Sequence, residues 1–144
     1  IEGPGKVILA NGTVYEGAFK DAKNHGKGKI IYLDGHSYDG DWYEGLKQGI
    51  GLEIQPDGST YNGAFVAGRP HGKGELKLAN GFKYIGEWTD GEITGLGKAT
   101  YNNGNVYSGY LKKAQPHGVG KMIYISGRVF KGIWDNGKEK TPLM

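Results

Sequence analysis

Glycine falls on a 23-residue ruler in this chain. Gly12, Gly35, Gly58, Gly81, Gly104 and Gly127 stand 23 residues apart without a slip, and Tyr15, Tyr38, Tyr61, Tyr84 and Tyr107 keep the same interval, with Phe130 in the sixth place. Each of these rings is followed at +2 by glycine and at +4 by a bulky residue: Phe19, Trp42, Phe65, Trp88, Leu111 and Trp134. A glycine pair follows, Gly26/Gly28 and its copies down to Gly118/Gly120. A period this strict means a stack of small units, each burying its apolar side chains only against its neighbours.

The units are made of strands. Glycine is 28 of 144 residues, more than helix interiors tolerate, and no window carries an apolar repeat near 3.6. Two extended runs recur in each unit, as in TVYEGAF at 13–19 and GKGKIIYL at 26–33, joined by a polar loop such as KDAKNH. Asp34-Gly35, Asp57-Gly58, Asn80-Gly81 and Asn103-Gly104 hand the chain to the next unit, a strong hairpin signal. The expected fold is all-β, an elongated single-layer antiparallel β-meander solenoid of 23-residue hairpin units. At about 4.8 Å between strands it extends on the order of 50 Å. One array fills residues 1–144: a half unit 1–11, full units 12–34, 35–57, 58–80, 81–103 and 104–126, and a partial unit 127–140. Beginning and ending inside a unit, the chain reads as part of a longer array or a larger protein.

Face parity specifies the turn. Rings sit at odd positions in the first run (Tyr15, Phe19), and glycines and apolar residues at even positions in the second (Gly26, Gly28, Ile30). Residues opposite one another in an antiparallel pair share a face. A three-residue loop Leu33-Asp34-Gly35, a type I turn closing on a left-handed Gly35, pairs Ile30 with Tyr38, Gly28 with Gly40 and Gly26 with Trp42, which gathers rings and glycines on one face. There the glycines are gaps in which the rings lie flat, the Gly26/Gly28 pair making room for the next unit's rings. A second rhythm of 46 residues lies over the first: His25, His71 and His117 alternate with Gln48 and Thr94, and the tryptophans fall in the units that lack a histidine at this position.

Residues 38–58, YDGDWYEGLKQGIGLEIQPDG, carry the pattern YxGxWxxGxxxGxGxxxxxDG in full, which resembles the MORN repeat. The resemblance covers residues 3–138. Departures are Ala22 and Ala114 in place of the glycine at 45, 68, 91 and 137, Leu111 for an aromatic, and Phe130 for the last tyrosine. It implies a single-layer meander with an aromatic groove. It also implies a scaffolding or targeting role of the kind seen in cytoskeletal and ciliary proteins, at membrane junctions, and ahead of catalytic domains in certain phosphoinositide kinases and lysine methyltransferases. A cytoplasmic, cytoskeleton- or membrane-associated location follows from the same resemblance.

Catalysis is not expected, and neither a cofactor nor a metal site. Histidines 46 residues apart are about 20 Å apart along the stack, too far for a shared metal or relay. HGKGK is no phosphate loop, because the glycines open a strand rather than a helix and the second copy, QGIGL, has no charge. The formal charge of +3 is mild and interspersed, so nucleic acid is not an expected partner. A one-layer sheet is expected to leave its ring face open, which makes Tyr38, Trp42, Tyr61, Tyr84, Trp88 and Tyr107 a groove for a partner's helix or extended segment, or for a second copy in a homodimer. The alternative is weak contact with acidic phospholipids or phosphoinositides through the other face. It carries nine lysines, Lys27, Lys29, Lys73 and Lys77 among them, against five carboxylates.

Overall fold

In the computed structural model, residues 3–143 are described. Among these residues thirteen strands form one antiparallel sheet in chain order, with no helix and no second layer. They are β1 (Gly3–Ile8), β2 (Val14–Lys20), β3 (Lys23–Ile31), β4 (Ser37–Tyr43), β5 (Leu46–Ile54), β6 (Thr60–Val66), β7 (Arg69–Lys77), β8 (Lys83–Thr89), β9 (Glu92–Thr100), β10 (Val106–Lys112), β11 (Gln115–Ile123), β12 (Val129–Asp135) and β13 (Lys138–Pro142).

The turn between units has the form the parity demands. Ile30 pairs with Tyr38, Gly28 with Gly40 and Gly26 with Trp42. The Tyr32 amide donates to the His36 carbonyl at 2.9 Å and the Gly35 amide to the Tyr32 carbonyl at 3.0 Å, which closes a three-residue loop on Gly35 at φ 97°. Asp34 Oδ1 accepts from the His36 amide at 2.9 Å, and Asp57, Asn80 and Asn103 do the same in their turns. Within a unit the join is tighter than the expected polar loop. Asp21 and Ala22 alone make a two-residue turn at φ 52° and 63°, and Lys23–His25 already belong to β3. Positive φ at both central residues matches the twist of the flanking strands, so the hairpin needs no longer connection.

The glycine pair divides its labour differently from the expectation. Between the pairs Gly17–Gly28 and Phe19–Asn24, β3 has two more residues than β2, a bulge in which Gly26 takes φ 86°. The first glycine therefore serves the backbone. The second makes room for a ring, and the ring is Tyr15 of its own unit: a Cβ on Gly28 would stand 2.0 Å from Tyr15 Oη. The bulge also takes the Ala18 carbonyl out of the ladder, and Tyr15 Oη donates to it at 2.8 Å. Tyr38, Tyr61, Tyr84 and Tyr107 repeat this bond to the residue three ahead at 2.7–2.8 Å.

Two outcomes follow. Gly28→Ala expels the Tyr15 ring and its hydroxyl bond, and lowers the unfolding free energy by about 2–4 kcal/mol in urea titrations. Burial pushes the hydroxyls of Tyr61, Tyr84 and Tyr107 up to about 12 from 10.0. A group whose folded pKa is raised favours the protonated fold. This contribution is complete below pH 10 and disappears as pH rises through about 12. Tyrosine ionisation followed by ultraviolet absorbance should therefore coincide with loss of the circular-dichroism signal.

Candidate functional site

Tyr38, Trp42, Tyr61, Tyr84, Trp88 and Tyr107 all lie on one face, and they are its core rather than an open groove. Their exposures run from 0% to 7%. The physical reason is local. Each tyrosine lies flat over glycine and is boxed by edge-on neighbours, as Tyr38 is by Trp42 at 5.2 Å and Phe65 at 5.0 Å. T-shaped contacts continue through Tyr61–Trp88 at 5.0 Å. A single layer can thus bury its rings, since backbone of the same sheet supplies one wall and side chains of the next unit the other.

What this face does expose is a row the 23-residue consensus does not single out. Tyr32, Phe82, Tyr101 and Tyr124 are half-buried against the core near the between-unit turns. Tyr32 stacks on His36 at 3.9 Å, and Phe82 meets Tyr101 at 5.6 Å. The three tyrosines share a column, Leu9, Tyr32, Gln55, Leu78, Tyr101 and Tyr124, and Phe82 belongs to another, Thr13, His36, Ser59, Phe82, Asn105 and Arg128; the mixed membership of both hides them from a search for identity. Shallow apolar depressions open against the core rings and aliphatics, one at Tyr15, Phe19 and Ile30, another at Leu76, Trp88 and Ile93. Between them Lys47 and Glu53 form an ion pair at 2.5 Å, with the Lys47 ammonium 5.1 Å from the centre of the Tyr38 ring.

The histidines prove to be joints. His25 Nδ1 accepts the Glu44 amide at 3.3 Å, His71 the Asp90 amide at 3.1 Å, and His117 the Asn136 amide at 3.3 Å. Each acceptor reaches a left-handed turn residue in the following unit. Gln48 and Thr94 perform the same task for Ala67 and Lys113. The 46-residue rhythm comes from a second bond at the histidine junctions. Trp42 Nε1 donates to the Gly28 carbonyl at 2.9 Å, Trp88 to Gly74 at 3.2 Å, and Trp134 to Gly120 at 3.0 Å. Junctions made by Phe65 and Leu111 have no such donor.

The four lysines expected to meet lipid lie on the opposite face, each among acids or beside another lysine. Lys27 pairs with Asp41, and with the Ile50 amide it holds that carboxyl below its ordinary range. Lys29 stands between Glu16 and Asp39 in strand register, Lys73 opposite Glu87, and Lys77 3.6 Å from Glu75 and opposite Lys83. Among the described residues, no group of three or more histidines and carboxylates is placed to hold a metal ion, and no helix is long and apolar enough to cross a membrane.

The family described as MORN repeat matches five consecutive segments, 15–37, 38–60, 61–83, 84–106 and 107–127. A curated relative, phosphatidylinositol 4-phosphate 5-kinase 1 of Oryza sativa subsp. japonica, is 43% identical over 44 residues, which is 31% of this chain and 6% of the kinase. The chain thus matches only a small part of that relative's length. Among solved structures, the SAS-4 (dCPAP) TCP domain of Drosophila melanogaster, in complex with a proline-rich motif of Ana2 (dSTIL), is similar with a TM-score of 0.53 at 14% identity. The likeness covers 90% of this chain and 71% of that one, and shows a shared fold.

The joints can be tested one at a time. His71→Gln should melt with the parent protein, because Gln48 already makes this bond. His71→Ala should melt about 2–4 °C lower for the loss of roughly 1 kcal/mol. Trp88→Phe should fall further, losing ring area together with its bond to Gly74.

Proposed function

Because this chain belongs to the MORN repeat family, whose repeats generally mediate protein or membrane interactions, we propose that it is a non-catalytic docking module that takes a partner's helix or extended segment along its ring face. The observation that carries this reading is the half-exposed row Tyr32, Phe82, Tyr101 and Tyr124. The buried rings Tyr38, Trp42, Tyr61, Tyr84, Trp88 and Tyr107 are the floor beneath it. Rings already held by neighbours lose little entropy when a ligand covers them, which is the setting in which aromatic anchors contribute most. The structurally similar SAS-4 domain is itself one that forms a complex with a proline-rich motif, which supports an extended occupant. A second copy of the chain is the other occupant this face could take.

The relative among phosphatidylinositol phosphate kinases supports the other reading, recruitment to an acidic membrane. Against it stands the acid beside Lys27, Lys29 and Lys73, which cancels much of the attraction within a Debye length of about 10 Å.

Selection of displayed peptides against the folded chain separates these readings. Enriched peptides should bind the Tyr32→Ser/Phe82→Ser/Tyr101→Ser variant about tenfold or more weakly, with its far-ultraviolet spectrum unchanged. Equal binding to that variant removes the ring face from consideration. Flotation with phosphoinositide vesicles that is lost on reversing Lys27, Lys29, Lys73 and Lys77 favours the membrane instead.

A further inference from the structure

The face opposite the rings is not uniform along the array. Across β2–β8 Lys27, Lys29 and Lys73 each register with an acid, while Lys77 and Lys83 face one another with Glu75 3.6 Å from Lys77. Along the central rung of β9–β12 no acid takes part, and the carboxylates of these strands, Glu92 and Asp135, stand at strand ends. Lys98 of β9 registers with Ser108 of β10, Ser108 with Lys121 of β11, and Lys121 with Lys131 of β12. Among the described residues, none of these three lysines makes an ion pair. The carboxylate at the border, Glu87 of β8, accepts the Leu96 amide at 2.6 Å.

Apolar side chains frame the lysine row on both sides. On one side Leu96 pairs with Tyr110 and Val119 with Ile133, and on the other Val106 pairs with Ile123 and Ile123 with Val129. Leu96, Val119, Ile123 and Val129 are exposed at 61%, 56%, 44% and 52%. Short apolar side chains left this open and set around uncompensated charge are a surface that lacks its complement.

We infer that this surface docks an amphipathic helix of a protein partner, one column of whose turns is acidic and is flanked by large apolar residues. The chemistry of the three rows favours this occupant over a lipid surface. A lysine's four-carbon stem overreaches valine and isoleucine, so a bilayer resting on the ammonium groups stays clear of the apolar rows. A helix can meet both, with carboxylates on the lysines and longer leucine or phenylalanine side chains reaching down beside them. An extended segment presents one column of side chains to a face, whereas a helix presents a stripe wide enough for three. Spacing agrees as well. Helical turns repeat every 5.4 Å against a strand spacing of about 4.8 Å, and β9 to β12 spans about 14 Å, roughly ten helical residues. This site is independent of the ring face, and either can fail without the other.

The test uses the whole chain and a stapled helix of about 15 residues carrying one column of glutamates flanked by leucines. Amide shifts in nitrogen-15 spectra should map to residues around Leu96, Val119 and Ile123. Lys98→Glu/Lys121→Glu/Lys131→Glu should weaken binding about tenfold or more, three exposed pairs at up to about 1 kcal/mol each. A helix with lysines replacing the glutamates should recover binding to that variant. Shifts confined to the ring face, or no recovery by the charge-swapped helix, overturns the proposal. So does flotation with phosphatidylcholine vesicles containing about one-fifth phosphatidylserine that the triple variant abolishes, because the occupant is then a bilayer.

Discussion

The structure depends on one repeated bond, the tyrosine hydroxyl donated to a carbonyl that a β-bulge has released from the ladder. Tyr15 and Ala18 make it first, and four further units copy it. Three requirements meet there. The bulge needs a left-handed residue at Gly26, the ring needs empty space at Gly28, and the freed carbonyl needs a donor once water is excluded. Removing any one leaves the other two without purpose, which is why ring and glycines recur at the same interval. A sheet with no second layer obtains its core this way.

Between units the bonding alternates. At β3/β4, β7/β8 and β11/β12 a tryptophan indole and a histidine ring tie neighbouring units by two side-chain bonds, while β5/β6 and β9/β10 have one. Local opening in an array follows its weaker interfaces. Pairs of units, 46 residues long, are therefore the natural cooperative blocks of this array.

Much of this was legible in the residues. The register of Ile30 with Tyr38 and Gly28 with Gly40 follows from parity, because strand side chains alternate with a period of two and a slip by one residue would turn every ring outward. The bulge inside each hairpin was not legible. Two extra residues leave parity intact, so Lys23–His25 read as loop rather than as part of a widened strand. The burial of the rings is not legible either. The lack of a second layer predicts open rings, but Tyr38 is walled by Trp42 and Phe65 of its own sheet. The half-buried row Tyr32, Phe82, Tyr101 and Tyr124 is not legible, because it draws on two columns that are only partly aromatic.

The 23-residue spacing by itself determined the meander, the turn closing on Gly35 and the gathering of rings on one face, since these depend on periodicity and on backbone conformations that glycine permits. The tertiary structure decided which glycine serves the backbone and which the ring, and what the histidines hold. It also decided where charge goes uncompensated. Lys29 and Lys98 occupy equivalent positions in their units, yet Glu16 and Asp39 register beside the first, while Ile85 and Ser108 flank the second. A lysine's electrostatic worth lies in its cross-strand neighbours, and those are distant in the chain.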